Sequence, residues 1–302
     1  MSFESLQKKI NKKNNPTVMG LDPRLEYIPE HIKDEAVKKF GKTQKAAGEA
    51  LFIFNKGLID SCFDLIPAVK PQSAYYEMYG IEGIYAMYKT IAYAKSKDLY
   101  VILDGKRGDI GESARAYSAA YLGETDIFGE GQKIFDADCL TVNPYLGYDG
   151  IGPFVENCEK YGKSIFVLVK TSNESSGDFQ DITVDGEPFY EKVARKIMDW
   201  GAFGHVGAVI GATYPKQLAG LRKILTDTFF LVPGFGAQGG TAEDVKFAFD
   251  KNGESVIVNS SRAIMCAYQK QKGADKDAGE NFGKWAREEV IRMKNAINDL
   301  KG

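Results

Sequence analysis

The chain has 302 residues, 44% hydrophobic and 26% charged, and its 39 Lys and Arg against 41 Asp and Glu leave a net charge of −2. That balance provides no overall positive field to gather nucleic acid, and no run of about 18 apolar residues is present to cross a membrane. Cys62, Cys139, Cys158 and Cys266 stand far apart with no C-x-x-C pair, and His31 and His205 are the only histidines, so reduced cytoplasmic thiols are expected and no metal site is.

No apolar signal segment opens the chain. Lys8, Lys9, Lys12 and Lys13 there read most simply as a solvated helix face. Short apolar runs rich in β-branched and aromatic residues then recur at 17–22, 65–70, 99–104, 139–143, 164–170, 206–210, 228–233 and 255–259. Helical patterns lie between them, such as Ala47, Leu51, Phe54, Leu58 before the second run and Ile84, Met87, Tyr88, Ile91 before the third. A last helix is expected to carry Phe282, Ala286, Val290, Met293 and Ile297 on one stripe. There is no internal repeat and no low-complexity tract.

Eight continuous apolar strands alternating with helices, with no linker between halves, predict an α/β fold of one domain over 1–302, a closed (β/α)8 TIM barrel. An open doubly wound sheet is the alternative. Two intervals exceed a minimal barrel, near 23–41 and 174–188, and read as lids or mobile insertions. In a barrel the chemistry gathers where strands end. Those ends hold Asp22, Lys70, Asp104 with Lys106, Asn143, Lys170 with Ser172, and Pro233.

The densest stretch is Val101-Ile-Leu-Asp-Gly-Lys-Arg-Gly-Asp-Ile110. Asp104 and Lys106 are two apart and so leave one strand face, and Asp109 follows on a glycine-containing turn. Such proximity is expected to lower the carboxylates' pKa values and keep the lysine protonated, as suits an enzyme that protonates a strong carbanion. A surface ion-pair network is the plainer account. After the seventh run comes Val232-Pro-Gly-Phe-Gly-Ala-Gln-Gly-Gly240, and after the eighth Asn259-Ser-Ser-Arg262. Glycines let backbone N–H groups approach an anion and Arg262 adds a forked charge, a pattern suited to phosphate. Lys70 sends a cation to the same mouth, unless it only snorkels at a strand end. Asp22 before Pro23 could hold ribose hydroxyls or simply start a turn. Lys170-Thr-Ser-Asn173 resembles the Schiff-base motif of deoxyribose-phosphate aldolases over three residues; otherwise Ser172 presents its hydroxyl to a heterocycle.

Taken in order, Asp22, Lys70, the Asp104-Gly-Lys-Arg-Gly-Asp109-Ile110 block, Ser172, Pro-Gly-Phe-Gly-Ala-Gln-Gly-Gly and Arg262 resemble the orotidine 5′-phosphate decarboxylase family over nearly the whole barrel, in its longer, insertion-containing branch. The resemblance implies removal of the C6 carboxylate of orotidine 5′-phosphate to give uridine 5′-phosphate and CO2, the last step of de novo pyrimidine synthesis, with neither metal nor organic cofactor. It implies that Lys106 protonates C6, that Asp104 lies near the departing carboxylate and fixes Lys106, and that Lys70 bonds the ribose and nearby carboxylates. It further implies a homodimer in which Asp109 enters the other subunit's site, with Ile110 lining the pocket beside it. Asp22 would hold ribose, Ser172 the pyrimidine edge, and Gln238 and Arg262 the phosphate, with Pro233, Gly234 and Gly236 also among the substrate-binding residues. Ser113 stands where the family commonly has threonine and keeps the hydroxyl.

The charges are then expected to form one buried quartet at the rim. Three other readings stay open: a Mg²⁺-dependent sugar-phosphate enzyme of the same block, disfavoured by the Lys70 cation; a Schiff-base aldolase using Lys170; and a non-catalytic phosphate-binding barrel.

Overall fold

The computed structural model describes residues 2–201, 204–236, 239–271 and 277–300. Eight parallel strands close into a barrel: β1 (Thr17–Leu21), β2 (Ala68–Pro71), β3 (Tyr100–Arg107), β4 (Cys139–Val142), β5 (Ser164–Lys170), β6 (Val206–Ile210), β7 (Phe230–Val232) and β8 (Val256–Ser260). Each strand neighbours the next in sequence, and β8 returns to β1. Closure removes the open-sheet alternative. The strands are buried because helices cover a parallel barrel, which is why they read as continuous apolar runs rather than as alternating ones.

β3 runs three residues past the expected end at Asp104, reaching Arg107, while β7 is trimmed to Phe230–Val232. β5 and β6 pair in register up to Leu168 and Val209, then slip so that Ile210 faces Lys170. A bulge of this kind turns a strand end away from the ladder and re-aims its side chains.

The described residues fall into two compact units, 9–104 with 260–296, and 105–259 with the terminal segments. In the first, the helix Gln44–Cys62 starts at Thr43, whose Oγ1 accepts the Ala46 N–H at 3.3 Å and so satisfies one first-turn donor. It buries Ala46, Ala50, Leu51, Phe54, Leu58 and Ile59, each large side chain contributing roughly 1.5–3 kcal/mol. The following helix, Gly80–Ser96, departs from expectation. Its inner face is Gly83, Ala86, Met87, Thr90, Ile91 and Ala94, whereas Ile84 and Tyr88 are exposed. Small residues let its backbone pack closely and so turn the bulky ones outward. Phe282, Ala286, Val290, Met293 and Ile297 are all buried on the last helix, Phe282–Asn298.

In the second unit Phe3 stacks on Phe229, ring centroids 5.0 Å apart, and tilts against Phe166 at 4.9 Å. The N-terminal helix Ser2–Lys13 pairs Lys8 with Glu4, and its lysines lie toward solvent or half-buried.

Both insertions contain regular structure. Residues 23–41 form a single turn, Leu25–Tyr27, and the helix Glu30–Phe40. Residues 174–188 form two short turns and a hairpin, Thr183–Val184 with Glu187–Pro188, over Asp185 and Gly186. No described helix is long and apolar enough to cross a membrane.

Candidate active site

The first unit assembles three of the expected charges. β1 delivers Asp22 just past its end, β2 carries Lys70, and β3 carries Asp104. Lys70 and Asp104 are only 3% and 6% exposed, and the ammonium donates to Asp104 Oδ2 at 2.6 Å. Burial pulls the Lys70 pKa down, but the carboxylates of Asp104 and Asp22 and the hydrogen bond to Asp104 outweigh it. The ammonium is therefore held above the ordinary lysine range. Asp22 is half-buried and close enough to act on that charge.

A supporting layer fixes the backbone beneath them. The Ser73 N–H donates to the Asp104 carbonyl at 3.2 Å, and the Gln72 N–H to the Leu21 carbonyl at 3.1 Å. That same Leu21 oxygen accepts the Tyr76 hydroxyl at 3.3 Å, and Tyr76 accepts in turn from Asn55 Nδ2 at 2.9 Å. Burial raises the Tyr76 phenol far above its usual range, so it stays a neutral donor. Asn55, Ser73, Tyr76 and Gln72 escaped sequence reasoning because no charge marks them. Arg262 is exposed at the start of the short helix Arg262–Met265.

The second unit presents Lys106, Asp109, Ile110, Ser113, Ser172 and Pro233. Lys106 is exposed and its φ is 45°, a left-handed conformation that a side chain with a Cβ adopts at a cost. Its N–H donates to the buried Thr141 Oγ1 at 2.9 Å. The next residue is anchored on both sides: the Arg107 guanidinium donates to the Tyr121 hydroxyl at 3.0 Å, and its carbonyl accepts from the Asn143 N–H at 2.8 Å. A strained residue flanked by fixed ones is held in place by its neighbours.

Asp109 is half-buried and accepts the Ile110 N–H at 2.8 Å, directly before the helix Gly111–Tyr121. Ile110 is 54% exposed, and Ser113 lies exposed in that helix's first turn. The expected quartet is thus buried only at Lys70 and Asp104, because β3 has cleared the packed barrel by the time it reaches Lys106. Gly234 and Gly236 have φ of 103° and 78°, backbone conformations that only glycine enters freely, and the Gly240 N–H donates to the Gly234 carbonyl at 3.0 Å. The half-buried Pro233 accepts the Ala212 N–H at 2.9 Å. Gln238 lies outside the described residues.

Ser172 is half-buried at the end of β5, against Gly211, where an added Cβ would lie 2.9 Å from the Ser172 Cα. Lys170 is not offered to a substrate carbonyl. It is fully buried, with Nζ 2.7 Å from Asp181 Oδ1 and 3.1 Å from Ser176 Oγ. An ammonium engaged in that way is no amine nucleophile, which counts against the Schiff-base reading. Among the described residues no three carboxylate, imidazole or thiol groups gather to hold a metal ion.

Residues 55–276 match the model of the "Orotidine 5′-phosphate decarboxylase / HUMPS family". The chain is 44% identical over 283 residues to an orotidine 5′-phosphate decarboxylase of Caldicellulosiruptor saccharolyticus, covering 90% of this chain and 92% of that one. It is 42% identical over 305 residues to the enzyme of that name from Rhodopirellula baltica, covering 98% and 99%. Among solved structures, a putative orotidine-monophosphate-decarboxylase from Toxoplasma gondii superposes with a TM-score of 0.76 at 29% identity, covering 98% of both chains.

Proposed function

Because the chain belongs to the orotidine 5′-phosphate decarboxylase / HUMPS family, we propose that it converts orotidine 5′-phosphate to uridine 5′-phosphate and CO2 in pyrimidine biosynthesis, without a cofactor and with Lys106 as the proton donor. The observation that carries this reading is the buried Lys70–Asp104 pair, with Asp22 acting on it, two residues before an exposed lysine on the same strand.

Loss of CO2 breaks the bond from C6 to the carboxylate carbon, and the electron pair stays on C6 in the plane of the ring. No ring orbital delocalises it well. Stabilisation therefore has to be electrostatic and arranged in advance. Asp104, locked by Lys70, puts a fixed negative charge beside the departing carboxylate and a fixed positive charge behind it. The Lys106 ammonium faces the developing anion and transfers one proton to C6, and the neutral amine is reprotonated from water. Its exposed position suits that last step. The tie to Thr141 and the anchored Arg107 hold the donor's backbone.

Asp22 holds the ribose, Ser172 the pyrimidine edge, and the glycine turn with Gln238 and Arg262 the phosphate. Phosphate lies far from the bond that breaks, and its binding energy serves to hold the reacting end among the charges. Asp109 and the exposed Ile110 are contributed to the site of a second copy in a cytoplasmic homodimer. The test is direct: purified protein treated with a chelator converts orotidine 5′-phosphate with the accompanying change in pyrimidine absorbance. Lys106→Ala abolishes conversion while the nucleotide still binds. Activity that vanishes with the chelator, or survives Lys106→Ala, overturns the mechanism.

A further inference from the structure

The insertion after the fifth strand is pinned to that strand's end by one buried cation, to which the proposed reaction gives no part. Lys170 is the last residue of β5, sits beside the register slip, and has no exposed surface. Lysines are almost never fully buried unless paired. Here the partners come from the insertion and its surroundings: Asp181 at 2.7 Å, Ser176 at 3.1 Å, and the rings of Tyr214 and Tyr190 at 4.7 and 5.7 Å from Nζ. The strand end is thereby fastened to residues 6 and 11 positions further on.

Ser172 lies inside the loop so closed. Its neighbour Thr171 exchanges two hydrogen bonds with Gln180 of the insertion, at 2.9 Å from the backbone N–H and 2.8 Å to Oγ1. From the other side the Thr213 hydroxyl donates to the Ser172 carbonyl at 3.4 Å and the Tyr214 hydroxyl to the Asn173 carbonyl at 3.3 Å. Tyr214 also accepts from Ser176 at 3.4 Å, so one ring touches the buried cation, the insertion and the segment bearing Ser172. Charge-assisted bonds are the stronger members of such a network. Lys170 supplies the cationic one.

We propose that Lys170 is a positioning residue: with Asp181 it latches the 174–188 insertion against β5 and so holds Ser172 where the pyrimidine edge is bound. The proposal rests on the reading in which Ser172 contacts the base. Lys170 itself touches neither the substrate nor the reacting atoms. The Asp181 side chain is 46% exposed, so the latch can be opened from the solvent side without disturbing the barrel interior.

Asp181→Asn keeps the shape and removes the charge, and Lys170→Met replaces the cation by an apolar chain of similar length among the tyrosines. Each is expected to lower kcat/KM for orotidine 5′-phosphate about tenfold or more, the worth of one charge-assisted hydrogen bond, chiefly through KM. On a Ser172→Ala background the same Asp181→Asn change is expected to cost less than about threefold, because the contact it positions is already gone. Amide exchange across 171–182 should speed up in both variants. Where Lys170→Met does not fold, Asp181→Asn decides. Kinetic constants within about twofold of the parent, or a loss on Ser172→Ala as large as on the parent, overturn the latch. A parent protein that fails to turn over orotidine 5′-phosphate defeats the functional reading instead. Unchanged amide exchange in Asp181→Asn then defeats the latch separately.

Discussion

Replacing Asp104 by Asn tests whether the buried charges are held in place by each other. The pair is 2.6 Å apart and almost wholly removed from water. At an effective dielectric of ~20 the attraction is about 6 kcal/mol, most of it cancelled by the desolvation of both ions. Removing one partner restores the imbalance, because the Lys70 ammonium stays buried. Such losses run to ~3–5 kcal/mol, and the lower end applies here since Asp22 still acts on the ammonium. A loss of about 3 kcal/mol is a large part of a stability of ~5–15 kcal/mol and is readable in urea titrations as a lower midpoint at unchanged slope. The double variant Lys70→Met/Asp104→Leu removes both ions together, so it is expected to recover most of the loss while remaining inactive. If Asp104→Asn stays within about 1 kcal/mol of the parent, or the double variant is the less stable of the two, then Lys70 and Asp104 do not act as a coupled pair.

Burial pushes the thiols of Cys62 and Cys266 up to about 12 and about 11, and raises that of Cys158 as well. Iodoacetamide at mildly alkaline pH should therefore leave the folded protein unlabelled and modify all four cysteines in guanidinium; labelling of the folded protein at the rate of a free thiol refutes this. Arg287 donates to Asp64 at 2.6 and 2.7 Å and holds its carboxyl below the ordinary value of 3.8. A carboxylate with a lowered folded pKa stabilises the fold above its unfolded value, and that contribution is lost as pH falls through the folded value. The stability gap between the parent and Arg287→Gln should accordingly be flat above about pH 5 and close below about pH 4. A gap of constant size down to about pH 2 contradicts the assignment.

The barrel was legible because each strand carries a short apolar run bounded by polar or turn residues, and because the stripe on 282–298 repeats with helical spacing. On the helix at 80–96 only Met87 and Ile91 of the expected stripe pack inward, since hydrophobicity ranks Ile84 and Tyr88 above the Gly83 and Ala86 that let it pack closely. Charged candidate residues stood out at strand ends, as Asp22, Lys70 and Asp104 did. Their supports did not, because Asn55, Tyr76 and Thr141 become polar contacts only once distant segments meet. The hairpin at 183–188 was foreshadowed by Asp185-Gly186, the dipeptide that favours its turn, but its strands are too short to show an alternating pattern. Lys170 stands out in the sequence as a lysine at a strand end, whereas its burial depends on Asp181 and Tyr214 folding back over it.

The left-handed backbone at Lys106 has a consequence separable from its chemistry. At φ 45° any residue with a Cβ is strained, by roughly 1–2 kcal/mol, and glycine is not. Ordinarily glycine destabilises a strand relative to alanine, through the entropy lost on folding. Here the steric term outweighs the entropic one, so Lys106→Gly should be more stable than Lys106→Ala, by about 1 kcal/mol in urea titrations. Both variants lack the ammonium, so neither should decarboxylate. The strain is borne because Thr141 takes the Lys106 N–H and Arg107 is anchored on either side, which fixes the backbone whatever side chain it carries. Thr141→Val removes that acceptor, and with it part of what enforces the conformation, so the advantage of glycine over alanine should shrink in its presence. An alanine variant as stable as the glycine one in the parent background would mean that Lys106 is not held in a strained conformation.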